Sequence, residues 1–364
     1  MLFRSPGAAH SVDDADAPAS TPVASGRLRV TGGSTPAAPS EEVLGESISA
    51  EGRWNILLLG GDAGKGRSGL RTDAMILLSV DRRTGDTAIV SVPRNLARLP
   101  MPPGPLKAAF PKGWNDLANA FYGYVRNNPS LGDGSDQAAE HALSAAIAEA
   151  LGAPIDNYLL VDMGGFIDVI DALGGVDLTL SKAVPAPGNP YEAKHGVKAW
   201  YGPGNVHLDG TDALAYSRSR EGDSDYRRME RQRCLLGAAA RQVSAKDLLL
   251  RYDQLLGAME RSVRSDLTAA QARSLVDLYA KVDRTAIRSL GLVPPLVNTG
   301  APDYAKVRRL VAATLSPETA PSTQVTAAAE STTTAATAKA RASATTVPAS
   351  DAGQAVVLDE ASSC

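Results

Sequence analysis

One short run of apolar residues does most to constrain the fold of this chain. Residues 54–60 read Trp-Asn-Ile-Leu-Leu-Leu-Gly, and residues 74–80 and 87–92 repeat the apolar pattern. Short apolar runs of this kind are typical of strands buried on both faces, in a sheet that helices cover. A turn signal, Arg82-Arg-Thr-Gly-Asp86, separates the second run from the third. The sequence therefore predicts a buried sheet in which these two strands form a hairpin.

Helical patterns follow these strands along the chain. Residues 135–151 are rich in alanine and end at Gly152, a favourable helix cap. A strand over 158–161, an amphipathic helix over 166–173 and a strand over 176–180 predict a strand-helix-strand crossover unit. Further helices are predicted over 224–243, within 248–279 and over 303–313, and a last strand over 287–293. The fold class is α/β, with one domain over 51–315.

The two ends of the chain have a different composition. The chain has 364 residues, and its 44% hydrophobic content suffices for a core. Residues 1–50 are rich in Ala, Ser, Pro and Gly and residues 316–364 in Ala and Thr, so we expect a disordered linker and a disordered tail. No window of about 18 apolar residues occurs, and the first residues lack the apolar run of a signal peptide. Taken literally, these features predict a soluble, unexported chain.

An arginine cluster is the strongest functional signal. The net charge of the chain is −3, so a dense group of arginines requires a local anion. A guanidinium group binds phosphate oxygens through two parallel hydrogen bonds, which favours a phosphorylated or pyrophosphorylated ligand. The alternative is a solvated basic helix face paired with Glu221, Asp225 and Glu230. The cluster comprises Arg218, Arg220, Arg227, Arg228, Arg231 and Arg233.

Two carboxylates form a second constellation. Asp62 ends the first predicted strand and Asp73 begins the next, so neighbouring strands would bring both to one edge of the sheet. Carboxylates in small number suit Mg²⁺, which shares its coordination sphere with substrate phosphates, although aspartates in loops are more commonly turn formers. The surrounding glycine-rich loop is not a P-loop, because Gly66 stands where Ser or Thr is required. Together with Arg71 and Arg94, these residues suit a diphosphate and a metal ion.

Several of these segments resemble the LytR-CpsA-Psr family. The resemblance implies a three-layer α-β-α domain with a mixed central sheet, and an extracytoplasmic, membrane-associated phosphotransferase. Such an enzyme moves a glycopolymer from a polyprenyl-pyrophosphate carrier in the membrane to peptidoglycan or a related cell-wall acceptor. The matching segments are Asn55-Ile-Leu-Leu-Leu-Gly-Gly-Asp62, Leu70-Arg-Thr-Asp73, Val90-Ser-Val-Pro-Arg94, Asn119-Ala-Phe121, Val161-Asp-Met-Gly-Gly-Phe166, Asp171-Ala-Leu-Gly-Gly-Val176, His207-Leu-Asp-Gly210, Arg218-Ser-Arg220 and Asp225-Tyr-Arg-Arg-Met-Glu-Arg-Gln232.

The resemblance also implies roles for individual residues. Asp62 and Asp73 would bind Mg²⁺, and Asp73 would be the base that accepts the proton of the acceptor hydroxyl. Asp73, Arg94 and Arg218 are the implied catalytic residues. The implied pyrophosphate-binding residues are Arg71, Arg94, Arg218, Arg220, Arg228 and Gln232, the last two of which share a helix face at a spacing of four.

The chain departs from the family pattern in two ways. Many members carry a Lys-Ile-Asn-Ala-Ala-Tyr segment whose lysine reaches the phosphates, whereas the corresponding stretch here, Asp116-Leu-Ala-Asn-Ala-Phe121, has no lysine. We hypothesise that Lys112 takes its place from a nearby loop. Members also carry a transmembrane anchor before the domain, and we expect such a segment upstream of residue 1.

Other classes of function fit the sequence less well or stay open. Nucleic-acid binding is disfavoured by the negative net charge, the pI of about 5.9 and the 5% aromatic content. A pyrophosphatase acting on the same lipid, or a binder without catalysis, stays open as an alternative. The two cysteines, Cys234 and Cys364, either form a disulfide in an oxidising compartment or remain separate thiols, and the sequence favours neither.

Overall fold

The computed structural model describes residues 52–62, 70–185, 200–219, 224–244, 257, 263–316 and 356–357. The strands are β1 (Arg53–Gly61), β2 (Thr72–Asp81), β3 (Thr87–Ser91), β4 (Asn157–Val161), β5 (Val176–Leu180), β6 (Val184–Pro185), β7 (Trp200–Tyr201), β8 (Gly204–Leu208), β9 (Val263–Ser265), β10 (Arg288–Gly291) and β11 (Val356–Val357). The helices are α1 (Pro105–Ala109), α2 (Ala118–Arg126), α3 (Asp136–Leu151), α4 (Met163–Leu173), α5 (Gly210–Arg218), α6 (Asp225–Gln242), α7 (Ala269–Tyr279) and α8 (Tyr304–Leu315). A single 3₁₀ turn is described at Pro129–Leu131.

A mixed sheet of seven strands forms the centre of the described part. Its order is β11-β10-β3-β2-β1-β4-β9. The predicted hairpin is confirmed, since β2 and β3 pair antiparallel, and β1 also pairs antiparallel with β2. Two pairs are parallel, β1 with β4 and β10 with β3. The mixed sheet predicted from the resemblance is therefore present.

Helices cover both faces of this sheet. Leu57 and Leu59 of β1 pack with side chains of α2, α3 and α8 in one core. Ile56 and Leu58, which alternate with them along the strand, pack on the opposite face with Leu278 of α7. Because both faces are buried, the strand reads as the continuous apolar run seen in the sequence. The structure confirms the three-layer α-β-α architecture.

Helix ends are set by local capping. Ser135 accepts a hydrogen bond from the Ala138 amide at the start of α3, and Gly152 ends this helix with a φ of 65°, which favours glycine. Ser224 likewise caps α6 by accepting from the Arg227 amide. The predicted helices over 135–151 and 224–243 are therefore confirmed within one residue at each end.

The predicted crossover unit is wrong. The strand, helix and strand form as β4, α4 and β5, but β5 does not join the central sheet. It pairs antiparallel with β8 in a separate two-stranded sheet. Val176, Leu178 and Leu180 are buried and alternate with exposed residues, as expected for a strand with one face in water. This small sheet packs against α4, α5 and α6 in a core of its own.

The predicted helical stretch 248–279 is only partly right. Its end forms α7, but Val263–Ser265 is strand β9, which pairs with the edge of β4. Residues 245–256 and 258–262 lie outside the described residues, as do residues 1–51 and most of the tail, so the predicted disorder of both ends stays a prediction. Within the tail, Val356–Val357 pairs with β10 as strand β11. None of the helices in the described ranges is long and apolar enough to span a membrane.

Candidate active site at the end of the first two strands

The site is built where β1 and β2 end. Gly60 pairs with Ala74 and Gly61 with Thr72, so the register shifts and Asp73 is left as an extra, bulged residue. Just beyond the pairing, the Asp62 amide donates to the Arg71 carbonyl at 3.1 Å, and Asp62 Oδ1 accepts from the Arg71 amide at 2.8 Å. A bulge redirects its side chain and is common beside active sites. The strand pairing thus brings both predicted aspartates to one end of the sheet.

Asp73 lies among side chains from three other elements. Its Oδ1 atom accepts from Arg94 Nη1 at 3.2 Å and from Asn119 Nδ2 at 2.7 Å. Arg94 follows β3, whose pairing with β2 ends just before Pro93. Asn119 lies in the first turn of α2 and is 2% exposed. Its backbone N–H donates to the Arg94 carbonyl at 3.1 Å. The sheet and α2 therefore position one carboxylate and one guanidinium group together.

The first turn of α6 completes the cluster. Asp225 Oδ2 accepts from Arg94 Nε at 3.2 Å, and Asp225 Oδ1 accepts from Arg228 Nε at 3.0 Å. Arg228 Nη2 donates to the Asp73 carbonyl at 3.0 Å, although the two residues are 155 positions apart. Asp225 and Arg228 lie three positions apart, so they share a helix face. Two arginines and two aspartates thus form one connected cluster.

The charge balance of the cluster favours the cationic form of Arg94. Burial alone would lower the pKa of Arg94, but the charges of Asp225 and Asp73, together with their hydrogen bonds, outweigh burial and raise it. The side chain of Arg94 is 24% exposed and that of Arg228 is 3% exposed. Arg94 therefore keeps some access to solvent, whereas Arg228 is buried.

Other arginines of the cluster seen in the sequence have different environments. Arg227 is exposed and pairs with Glu230 at 2.8 Å, as the basic-face alternative predicts. Arg231 is buried and donates to the Ser219 carbonyl. The solvated-face interpretation therefore fits Arg227 and does not fit Arg228 or Arg231.

Of the other predicted binding residues, three lie in the described part of the chain and one lies outside it. Arg218 is half-buried at the end of α5. Gln232 Nε2 donates to the Ser217 carbonyl at 3.4 Å, which fastens α6 to α5. The side chain of Arg71 is exposed, beside Asp62. Arg220 falls in the undescribed segment 220–223. Their roles in ligand binding stay predictions.

A neutral hydrogen-bond network supports the cluster from one side. The hydroxyl groups of Tyr226 and Thr299 are 2.9 Å apart, and Asn95 Nδ2 donates to both, at 3.4 and 3.3 Å. Asn95 and Tyr226 each follow a member of the cluster in sequence. Because Thr299 is 5% exposed, the network anchors the Arg94 loop and the start of α6 to a buried position.

The donor set fits a magnesium ion that is shared with a phosphate ligand. The described residues contain no group of three or more His, Cys, Asp or Glu suited to hold a metal. Mg²⁺ is commonly bound by one or two carboxylates, with waters and substrate phosphates completing its octahedron. Asp62 and Asp73, at the end of one strand pair, supply this number. They would bind the ion together with a ligand, and a cage formed by the protein alone is not needed.

The sequence predicts no site role for Asn119, which contacts the cluster, and treats Asp225 only as a possible surface partner of the arginines. Both residues stand in segments that match the family. The i, i+3 spacing of Asp225 and Arg228 is the sequence signal that could have found Asp225.

Lys112 is exposed in the turn after α1, and Leu117, immediately before α2, is 45% exposed. A contact of Lys112 with a phosphate ligand stays a hypothesis.

The sequence of this domain matches the model of a known protein family. The family model for the LytR_cpsA_psr family matches residues 30–306. The chain belongs to the LytR_cpsA_psr family.

Curated relatives and solved structures agree with this membership. The polyisoprenyl-teichoic acid--peptidoglycan teichoic acid transferase TagU of Bacillus cereus is 30% identical over 234 residues, 64% of this chain and 65% of its own length. TagV of Bacillus subtilis, a transferase of the same description, is 27% identical over 66% of this chain and 56% of its own length. The chain thus spans 65% of the length of TagU and 56% of the length of TagV, less than two thirds in each case.

Structural similarity extends over most of the domain. The crystal structure of Bacillus subtilis TagV superposes with a TM-score of 0.55 and 24% identity, over 74% of this chain and 98% of that one. The structure of TagT bound to LIIa-WTA superposes with a TM-score of 0.52 and 22% identity, over 79% of this chain and 93% of that one. At this identity the similarity establishes the shared fold.

Proposed function

We propose that this protein is a Mg²⁺-dependent phosphotransferase that moves a glycopolymer from a polyprenyl-pyrophosphate carrier to peptidoglycan or a related cell-wall acceptor. One observation carries the proposal: Arg94, Arg228, Asp73 and Asp225 form a connected cluster beside Asp62, at the end of β1 and β2. Guanidinium groups and a carboxylate pair are the groups that a diphosphate and its metal ion require. The similarity to TagU and TagV, which are named as polyisoprenyl-teichoic acid–peptidoglycan teichoic acid transferases, supports the same acceptor and carrier chemistry.

In the proposed reaction, an acceptor hydroxyl attacks the phosphorus that bears the glycopolymer. A bond forms between the acceptor oxygen and phosphorus, the bridging P–O bond breaks, and polyprenyl phosphate leaves. Asp73 takes the hydroxyl proton. Bound Mg²⁺ would neutralise charge that develops on the diphosphate oxygens.

The residues of the chain mainly position groups and balance charge. Arg94 presents its guanidinium group to the diphosphate, because its side chain is the more exposed of the two arginines in the cluster. Asn119 holds Asp73 through a 2.7 Å hydrogen bond and fixes the carboxylate beside Arg94. Phosphoryl transfer is accelerated largely by such positioning and electrostatic stabilisation, so few covalent steps need protein groups. The lipid carrier would bring the enzyme to the membrane surface, on its extracytoplasmic side.

The test uses the full chain with Mg²⁺ and a short polyprenyl-pyrophosphoryl disaccharide, with and without peptidoglycan fragments. Mass spectrometry follows the sugar phosphate. We expect transfer to the fragments, its loss in Asp73→Ala or after chelation of the metal, and its retention in Asp177→Asn. Asp177 is the matched control because it is an exposed aspartate on β5, paired with His207. Release of the sugar phosphate into water alone would favour a pyrophosphatase, and binding without turnover would favour a lipid-pyrophosphate binder.

A further inference from the structure

Asp225 places a negative charge within the group of arginines proposed to bind a diphosphate. By Coulomb's law alone, a carboxylate at this position repels an anionic ligand and weakens its binding. Its presence therefore calls for an effect on its neighbours that outweighs the repulsion. The contacts of Asp225 indicate what that effect is.

Asp225 contacts Arg94 and Arg228 at the inner nitrogen of each guanidinium group. Its two oxygens accept from Arg94 Nε at 3.2 Å and from Arg228 Nε at 3.0 Å. The outer nitrogens then point to Asp73, since Arg94 Nη1 donates to its carboxylate and Arg228 Nη2 to its carbonyl. A guanidinium group is planar, so contacts at Nε and at one Nη atom together define its plane. Each arginine is thus held between Asp225 and Asp73.

The two arginines need this carboxylate for different reasons. Arg94 is partly exposed, and an unrestrained arginine would lose much rotamer freedom when it binds a ligand. Arg228 is 3% exposed, and a buried cation is stable only when it is paired and hydrogen-bonded. The side chain of Asp225 is 21% exposed, so it reaches both groups from the edge of the site.

We propose that Asp225 is a positioning residue that orders Arg94 for diphosphate binding and neutralises the buried Arg228. This inference rests on the proposed function, since it names how the same site is prepared for its ligand. Asp225 needs no contact with the ligand to do so. It acts through Arg94, whose guanidinium group it aligns before the ligand arrives.

The proposal is tested by the direction in which Asp225→Asn changes affinity. This substitution removes a negative charge, so simple electrostatics predicts tighter binding of an anion. Positioning predicts the opposite, because an Asn side chain accepts through one oxygen and turns a donor towards the other arginine. We expect inorganic pyrophosphate with Mg²⁺ to bind about tenfold to a hundredfold more weakly, the range for a lost charged hydrogen bond. Isothermal titration calorimetry on the full chain measures this.

Two further variants isolate the effect. Glu230→Gln is the matched control, because it removes a carboxylate from the same helix at a position where that carboxylate pairs with the exposed Arg227. Its affinity for pyrophosphate should stay within about twofold of wild type. In an Arg94→Ala background, Asp225→Asn should change affinity by no more than about threefold, since the group through which it acts is gone.

A second readout needs no ligand and separates this inference from the proposed function. Labelling of Arg94 by phenylglyoxal, followed by peptide mass spectrometry, should be at least several times faster in Asp225→Asn than in wild type. If wild type binds no pyrophosphate, the proposed function fails, and the labelling rate alone decides the role of Asp225. Equal or tighter binding together with unchanged labelling, in a variant of unchanged melting temperature, would overturn the inference.

Asp225→Glu keeps the proposal testable if the Asn variant does not fold. Its charge is retained, but its carboxylate is displaced by one methylene group. Its affinity for pyrophosphate and its rate of Arg94 labelling by phenylglyoxal should both lie between the values for wild type and for a variant in which residue 225 no longer aligns Arg94. A Glu variant identical to wild type in both measurements would show that alignment by Asp225 is not required.

Discussion

At the scale of single residues, the site depends on one guanidinium group with several simultaneous partners. Arg94 contacts Asp73 through Nη1 and Asp225 through Nε, and both contacts are 3.2 Å long. A lysine carries the same charge on a single nitrogen, at the end of a flexible chain. A lysine at this position cannot contact both Asp73 and Asp225 and also offer two parallel hydrogen bonds to a phosphate. The shape of the Arg94 side chain therefore matters as much as its charge.

We expect Arg94→Lys to lower phosphotransferase activity at least tenfold, and to weaken pyrophosphate binding by a similar factor, because the bidentate contact is lost. Steady-state kinetics and calorimetry measure the two effects. Arg227→Lys is the control, since Arg227 is exposed and pairs with Glu230 on the surface of α6. Equal activity of the two variants would argue against a direct role for Arg94.

At the scale of elements, a charged network attaches the edge strand β9 to the helices above the sheet. Arg264 of β9 pairs with Asp136 at 2.6 Å and with Glu140 at 2.9 Å, both on α3. It also donates to the Tyr122 hydroxyl of α2 at 3.0 Å. β9 has only three residues, so its backbone pairing is short. These side-chain contacts compensate by fastening the strand to two helices.

Glu140 gives this network a testable pH dependence. Burial raises the pKa of Glu140 above its ordinary value, although Tyr158 and Arg264 act to lower it. The folded protein therefore holds this proton more tightly than the unfolded chain does. The resulting contribution to stability is complete below the unfolded pKa of about 4.5 and is lost as the pH rises through the folded pKa.

We therefore expect the free energy of unfolding of wild type to fall, relative to that of Glu140→Gln, as the pH rises above about 4.5. Urea denaturation of both proteins at several pH values measures the difference. A difference that stays constant or grows with pH would contradict the assigned direction.

Breaking the network by Arg264→Met should destabilise the protein at neutral pH, because it leaves Glu140 buried without its cation. We expect a loss of about 1–3 kcal/mol in the free energy of unfolding, below the range for fully buried pairs, since Arg264 is partly exposed. Urea denaturation measures it. Arg126→Met is the comparison: Arg126 also pairs with Asp136, but both side chains are nearly half exposed, and its loss should cost less.

At the scale of the whole molecule, a disulfide constrains the helix that carries the site. Cys234 of α6 is disulfide-bonded. The chain contains one other cysteine, Cys364, which lies outside the described residues. A bond between them would join the last residue to the helix that carries Asp225 and Arg228. A disulfide of this kind persists in an oxidising compartment, in agreement with the proposed extracytoplasmic location.

We expect reduction by dithiothreitol to lower the free energy of unfolding by about 2–4 kcal/mol, because the unfolded chain gains freedom when the link is broken. Chemical denaturation with and without the reductant measures this. Cys234→Ser should be insensitive to the reductant, and peptide mapping without reduction should yield one linked pair containing residues 234 and 364. Two unlinked peptides would exclude the bond.

The sequence predicted the components of the site better than their arrangement. Asp62, Asp73 and Arg94 were selected because each stands at the end of a predicted strand, and strand ends follow from local apolar runs. Arg228 and Arg231 read as one basic stretch, yet they turn to different partners in the folded protein. The sequence suggests Asp225 only as a possible surface partner of the arginines, whereas its contact with Arg94 joins residues 131 positions apart. Helical spacing alone does not predict such a contact.

The sequence by itself determined the class of fold, the buried strands, the capped helices α3 and α6, and the family. These properties depend on local patterns: apolar runs, residues that cap helix ends, and short motifs with fixed spacing. Only the tertiary structure decided that β5 leaves the central sheet to pair with β8, that β9 interrupts a helical pattern, and that Asp225 joins two arginines to Asp73. These outcomes depend on contacts between residues far apart in the chain, whose energies arise only when the elements pack together.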